Sequence, residues 1–286
     1  MTSRGQMLVV VLWVMGLLTL SVGAVTSRAS HELRLGRVPL EWLQREAIAQ
    51  AGLQQAIAYL AQDPPEVDHL DEVWATGLDV GTDAAVFEAI PVGAGRFSIG
   101  ARAGETFVPG MIDEERKLNL NQATPDQLSR LMTAVSPGDV DVNQAVLAIL
   151  DWRDEPSGVV CGQERVQCHN GPFNTVRELR LVPGVTAELF EALEPYVTVY
   201  GSGSVNVNTA SPLILDAWSC NGAQLAQQRR SQPFTSPPEA CPSSTVTSTV
   251  FSVPVEAEVG PAGNRMRLLA VVDRQGHVLN FLIDTF

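Results

Sequence analysis

Few side chains in this sequence are spaced for chemistry. Its four histidines, His31, His69, His169 and His277, are scattered, with no G-x-S-x-G, H-E-x-x-H or P-loop beside them. His277 opens a predicted strand and His31 follows an apolar run, so neither is placed to act as a catalyst. The one acidic cluster is Asp151-Trp152-Arg153-Asp154-Glu155, with Glu164 further on. Asp151, Asp154, Glu155 and Glu164 form a candidate Ca²⁺ set, because Ca²⁺ takes six to eight oxygen ligands. The spacing lacks the D-x-D-x-D-G pattern of an EF-hand, and a solvated helix end accounts for the same residues. The cysteines are Cys161, Cys168, Cys220 and Cys241, spaced C-x6-C and C-x20-C. Zinc through Cys161, Cys168 and His169 is the sharper reading, but zinc sites rarely use that spacing. An even count in an exported chain favours disulfides. Proximity pairs them as Cys161–Cys168 and Cys220–Cys241, one of three possible connectivities. No constellation supports an enzyme.

Those residues sit on a chain that begins with a membrane-scale element. After the leader Met1-Thr2-Ser3-Arg4-Gly5, Gln6 to Ser27 holds no charged residue. As a helix it would span about 33 Å, close to the hydrocarbon thickness of a bilayer. A secretory signal peptide, with Val22-Gly23-Ala24 as its cleavage site, is one reading. A plain signal anchor is a second. The third rests on Arg4-Gly5, which resembles the leader of type IV prepilins, cut after Gly on the cytoplasmic side.

Beyond residue 37 stand 15 basic and 31 acidic residues, a net of −16. A body of that sign repels phosphate backbones, which argues against nucleic acid as a partner. From Leu40 through Leu43, Ala47, Ala51, Gln54, Ile57 and Ala58, three- and four-residue spacing predicts an amphipathic helix ending at Asp63-Pro64-Pro65. Pro39 predicts a kink or break before it. Val86–Ile90 and Phe97–Ala101 read as a β-hairpin around a Gly-rich loop. Gly93-Ala94-Gly95 is no dinucleotide fingerprint, since Ser98 holds the sixth position and no helical pattern follows.

An internal repeat follows. Asn119-Leu120-Asn121-Gln122-Ala123-Thr124-Pro125 matches Asn206-Val207-Asn208-Thr209-Ala210-Ser211-Pro212, and both read as a turn into a capped helix. Gln127 completes a capping box with Thr124. Between the copies, Gln144–Trp152, Thr175–Leu181 and Ala187–Leu193 read as helices. Leu181-Val182-Pro183-Gly184-Val185-Thr186 resembles a helix-hairpin-helix turn. Residues 113–200, however, carry seven basic against fourteen acidic residues, the wrong balance for DNA. Residues 219–244 form a Ser/Pro/Gln-rich loop holding Cys220 and Cys241. Val246–Val259, Met266–Val272 and His277–Ile283 are predicted strands. The fold class is α+β, a sheet-bearing head interrupted by a helical insertion.

In order along the chain stand the prepilin-like leader, the acidic run into Lys117-Leu118-Asn119-Leu120-Asn121, and Asp151-Trp152-Arg153-Asp154. Glu178-Leu179-x-x-Val182-x-Gly184-Val185-Thr186 and Val205-Asn206-Val207-Asn208-Thr209-Ala210 come after them. The set resembles the K-type minor pseudopilins of type II secretion systems, over nearly the whole chain. The resemblance implies a prepilin leader at 1–5, a membrane-spanning then amphipathic spine at 6–62, and the first part of a pilin-like β head at 63–112. A large helical insertion, SAM-like or helix-hairpin-helix-like, would fill 113–240, and the head would resume at 241–286. It implies cleavage after Gly5 by prepilin peptidase and methylation of Gln6. Single-pass anchoring in the inner membrane would leave the body in the periplasm. Partners would be the I-type and J-type minor pseudopilins and the major pseudopilin, with this subunit at the pseudopilus tip, initiating assembly. Family members bind Ca²⁺ near the region of Asp151 to Asp154, where this sequence has fewer acids and a Cys161/Cys168 pair. Major pilins carry Glu at mature position five; here that position is Val10. The contrasting reading is a membrane-anchored helix-hairpin-helix receptor for DNA uptake.

Overall fold

In the computed structural model, residues 3–79, 81–138, 140–153, 170–260 and 264–285 are described, those at 3–12, 20, 23–39, 264 and 285 by backbone alone. A single helix, α1 (Ser3–Gln62), opens the chain. Its backbone continues through Pro39, so the predicted break is absent: proline deletes one N–H bond, and the turns on both sides continue the helix. The helix stops before the Asp63-Pro64-Pro65 turn, as the sequence predicts. The buried face, however, is rotated from the predicted stripe. Ile48, Ala49, Leu53, Ala56 and Leu60 are buried, whereas Leu40 and Leu43 are exposed. The sheet selects this face because small residues let it come close. A Cβ on Gly52 would lie 2.6 Å from Val255 Cγ1 and 2.9 Å from the Phe97 ring. Among the described residues no helix is long and apolar enough to cross a membrane.

The chain then makes a one-turn helix, α2 (Val73–Thr76), capped by Gly77 in the left-handed conformation, and a small ladder of β1 (Leu78–Asp79) with β2 (Ala84–Ala85). The predicted hairpin is present with shifted bounds. Strand β3 (Ile90–Val92) pairs antiparallel with β4 (Gly95–Ala103) around a two-residue turn, and Pro91 is tolerated because β3 is an edge. At Gly100 (φ +152°) β4 leaves its first partner and pairs with β5 (Thr106–Pro109). A Cβ there would come 2.3 Å from the Val108 carbonyl oxygen. Strand β6 (Ile112–Asp113) follows.

At the end of the chain, β9 (Val250–Val259), β10 (Asn264–Asp273) and β11 (Val278–Thr285) form an antiparallel meander. The sheet order is β11-β10-β9-β4-β3, with β4 and then β6 sharing one side of β9. Alternation puts Phe251, Val253, Val255 and Ala257 of β9 toward α1, with Phe97 and Ile99 of β4 and Met266, Leu268 and Ala270 of β10. Trp74 stacks edge-on against Phe251 at one end of this core.

A second core belongs to the segment between β6 and β9. It contains β7 (Leu118–Asn119), α3 (Pro125–Val135), α4 (Val142–Arg153), α5 (Ala187–Leu193), β8 (Val197–Thr198), α6 (Pro212–Ala217) and α7 (Gly222–Ser231). Strands β7 and β8 pair parallel. Val176–Leu181 is a 3-10 turn, in which the Glu178 carboxylate accepts from the N–H groups of Asn174 and Thr175. The buried apolar residues of this block run from Leu118 to Val246, and those of the head lie at 48–111 and 251–272.

Candidate functional site

The places where the insertion leaves and re-enters the head are side by side, and buried acids fasten them. Asp113, Glu114 and Glu115 are all buried. Asp113 accepts from Thr209 Oγ1 at 2.5 Å and from the Glu115 N–H at 2.8 Å. Glu114 accepts from Thr198 Oγ1 (2.5 Å), Ser252 Oγ (2.6 Å) and Lys117 Nζ (2.7 Å). Glu115 accepts from Thr249 Oγ1 (2.5 Å) and the Val250 N–H (3.2 Å). One tripeptide thus binds the start of β9 on one side and the insertion on the other. Burial raises the Asp113 carboxyl to about 7; the Thr209 hydrogen bond opposes that shift and the Glu115 charge adds to it.

A second fastening joins the far end of α1. Asp63, Asp68 and Glu72 place carboxylate oxygens within 4.8 Å of one another. Arg274, in the β10–β11 turn, supplies the cation: it pairs with Asp63 at 3.0 Å and with the buried Asp68, and lies over the Phe251 ring. Asp68 also accepts from the Ser248 N–H at 2.6 Å, and Asn206 Nδ2 donates to Ser248 Oγ at 2.8 Å. Burial lifts Asp68 to about 6, against the pull of the Ser248 bond and the Arg274 charge. Every carboxylate here accepts from a hydroxyl, an amide or a cation of the same chain, so the arrangement ties remote segments together.

The repeat read from the sequence builds a pair of matching clamps. Asn119 and Asn206 each accept from an N–H two residues ahead, at 2.9 Å in both copies. Asn121 accepts from the Phe173 N–H (2.7 Å) and donates to its carbonyl (2.9 Å). Asn208 treats Phe234 the same way, at 2.8 and 2.9 Å. Arg153 Nη1 donates to the carbonyls of Leu120 and Ala123, and Arg229 Nη1 to those of Val207 and Ala210. Thr124 and Ser211 then cap α3 and α6, the first with the predicted capping box. The motif announces the turns and caps; the two arginines and the reach to Phe173 and Phe234 escaped it. Each arginine lies in the last turn of the second helix after its repeat, a signal visible only when the copies are aligned beyond the motif.

The other predicted residues fare unevenly. Cys220 and Cys241 form the expected disulfide, Cα to Cα 5.2 Å. Cys161, Cys168, Asp154, Glu155 and Glu164 lie outside the described residues. Asp151 sits in α4 as a buried and partnered side chain, not on a solvated helix end. Gly5 and Gln6 lie in α1, where the backbone alone is described.

The family profile for type II secretion system (T2SS), protein K, matches residues 111–202, from the acidic tripeptide through the first clamp. The type II secretion system protein K of Klebsiella pneumoniae is 26% identical over 230 residues, covering 73% of this chain and 67% of the relative. A chain in the crystal structure of the GspK-GspI-GspJ complex from the enterotoxigenic Escherichia coli type 2 secretion system superposes with a TM-score of 0.63. That match is 20% identical and covers 87% of this chain and 98% of the other, a likeness of fold.

Proposed function

We propose that the chain is a minor pseudopilin of the protein K family of type II secretion systems, and that it caps the tip of the pseudopilus and helps initiate its assembly. The position of the insertion carries this reading. Asp68, just past the C-terminal end of α1, donates its N–H to the Val246 carbonyl and accepts Asn206 Nδ2 on its own carbonyl. The insertion thus seats on the end of the spine helix remote from the apolar run, where a subunit stacking from above would have to sit. Val10 agrees with a terminal place. A carboxylate in the bilayer is costly without a partner, and a tip subunit has no neighbour above whose N-terminal amine it would neutralise. Lower down, Leu40, Trp42 and Leu43 are 59%, 39% and 54% exposed, an apolar stretch suited to packing against the spines of subunits below.

The partners are the I-type and J-type minor pseudopilins, the proteins found beside the similar chain of known structure. The apolar run 6–27 anchors the chain in the inner membrane, with the body in the periplasm. Prepilin peptidase cuts after Gly5. The test of assembly is to purify the full chain in detergent with I-type and J-type subunits and measure mass by light scattering. A defined 1:1:1 complex is expected. Binding of duplex DNA at physiological salt, with neither subunit retained, would replace this reading with the DNA-receptor one. Processing is tested by mass spectrometry of the membrane-extracted protein. A chain of 281 residues beginning at N-methylated Gln6 is expected; a terminus at Val25 would mean a signal peptide and remove the pilin reading.

A further inference from the structure

The two edges of the head sheet are built differently. Strand β3 is three residues long and contains Pro91, which has no N–H to offer a newcomer. Strand β11 is eight residues long, pairs with β10 alone among the described residues, and has no charge from Val278 to Ile283. Val278, Leu279, Phe281 and Leu282 are 44%, 49%, 62% and 43% exposed. Proteins ordinarily blunt such an edge with Lys, Pro, a bulge or a cover. The one bulge in this ladder is in β11 itself, at Leu279, which has no partner between Val278 and Asn280; from Asn280 to Thr285 the pairing is regular.

Both faces beside this edge suit a second strand. Side chains alternate, so an added strand would set one row beside Phe281 and Ile283 on the α1 face and the other beside Asn280 and Leu282. The second face opens into a cleft of about 370 Å³ between the sheet and the insertion, with Val176, Tyr200, Leu269 and Leu282 in its wall. Its rim charges are not equivalent. Lys117 is held by Glu114, and Glu194 is exposed at the rim. Arg177 is exposed there with no ion pair among the described residues, on a body whose net charge is −16. That open cation favours an incoming strand bearing a carboxylate. The turn into β11 also lies against the spine, since a Cβ on Gly276 would be 2.7 Å from Ile57 Cγ2. A subunit packed along α1 brings its head to this edge.

We propose that β11 accepts, by strand addition, an extended segment from the head of a neighbouring minor pseudopilin, apolar at alternate positions and acidic at the end that meets Arg177. The proposal rests on the tip reading and adds the surface and the mode of contact. Hydrogen–deuterium exchange on the full chain, alone and with the I-type and J-type subunits, tests it. The amides of residues 279–283 are expected to slow roughly tenfold or more in the complex, because addition of a strand satisfies the edge. Leu279→Lys and Phe281→Lys, at exposed positions the fold tolerates, should each weaken association about tenfold, the usual effect of a charge set on an edge. A complex that forms with unchanged exchange in β11, or that both variants join at wild-type affinity, would overturn the strand addition and leave the tip reading standing. Absence of any complex would overturn the tip reading itself. Protection of β11 by an exported polypeptide, and not by the subunits, would overturn the choice of occupant.

Discussion

At the junction, Asp113 is a buried carboxyl whose partners are a hydroxyl and an amide rather than a cation. Burial raises its pKa from 3.8 to about 7. The folded state therefore holds a proton that the unfolded state has released anywhere between those values. Its contribution to stability is fully present below the unfolded value and is lost as pH rises through about 7. Asp113→Asn keeps an acceptor for the Glu115 N–H and leaves Thr209 a group to bond, but it cannot ionise. The variant should gain on the wild type as pH is raised from 4 to 8, measured as the difference in urea midpoints; a difference independent of pH would disprove the assignment. The clamps make a second prediction. Asn121→Ala strands the N–H and carbonyl of Phe173, and Asn208→Ala those of Phe234. Each should cost about 1–3 kcal/mol in denaturant titration, the penalty for orphaned backbone groups. A large cost in one copy and none in the other would show that the matching geometry does not carry matching energy.

Among elements, α1 depends on close approach and the loop before β9 on a covalent link. Gly52→Ala places a methyl into Val255 and Phe97 and should destabilise the head by about 1–3 kcal/mol, as overpacking does. A calorimetric scan unchanged from wild type would mean that helix and sheet separate at no cost. Replacing Cys220 and Cys241 by Ser opens a loop of sequence separation 21 and should cost about 3 kcal/mol in the chain-entropy model. Whether an element was legible in the sequence follows from what determines it. Local chemistry fixes the helix starts at Thr124 and Ser211, the meander of the last three strands and the stop at Asp63, and all are readable from pattern and caps. The buried face of α1 depends on which residues the sheet can approach. Gly52 and Ala56, which decide it, carry almost no hydropathy signal, so the predicted stripe fell on Leu40 and Leu43. The acids were visible as a run into Lys117, but their partners are remote. Ser252 lies 138 residues from Glu114, and Arg274 lies 211 from Asp63. No window along the chain contains such pairs.

Across the whole molecule, two hydrophobic cores meet at a polar seam, so their cooperation depends on the groups that cross it. Arg274 reaches furthest. It binds Asp63 at the end of α1, the buried Asp68 and the Ser248 carbonyl, and it covers Phe251 at the edge of the head core. Asp68 in turn accepts from the Ser248 N–H, and Ser248 Oγ accepts from Asn206 at the second clamp. Removing the guanidinium leaves Asp68 buried without its counter-ion, a loss on the order of 3 kcal/mol. It also cuts the path from spine to insertion. Trp74 lies in the head core and Trp152 in the insertion core, so the two can be followed separately by ¹⁹F NMR after labelling with 5-fluorotryptophan. In the wild type both signals should shift to the unfolded position at one urea midpoint. In Arg274→Ala the Trp74 signal should move first, while Trp152 persists in a block held by two clamps and the Cys220–Cys241 bridge. Arg274→Lys keeps the charge but not the reach to three acceptors, and should separate the midpoints less. If the two signals still moved together in Arg274→Ala, the cores would be coupled through the Asp113-Glu114-Glu115 tripeptide alone, and the spine's grip on the insertion would have to be assigned there.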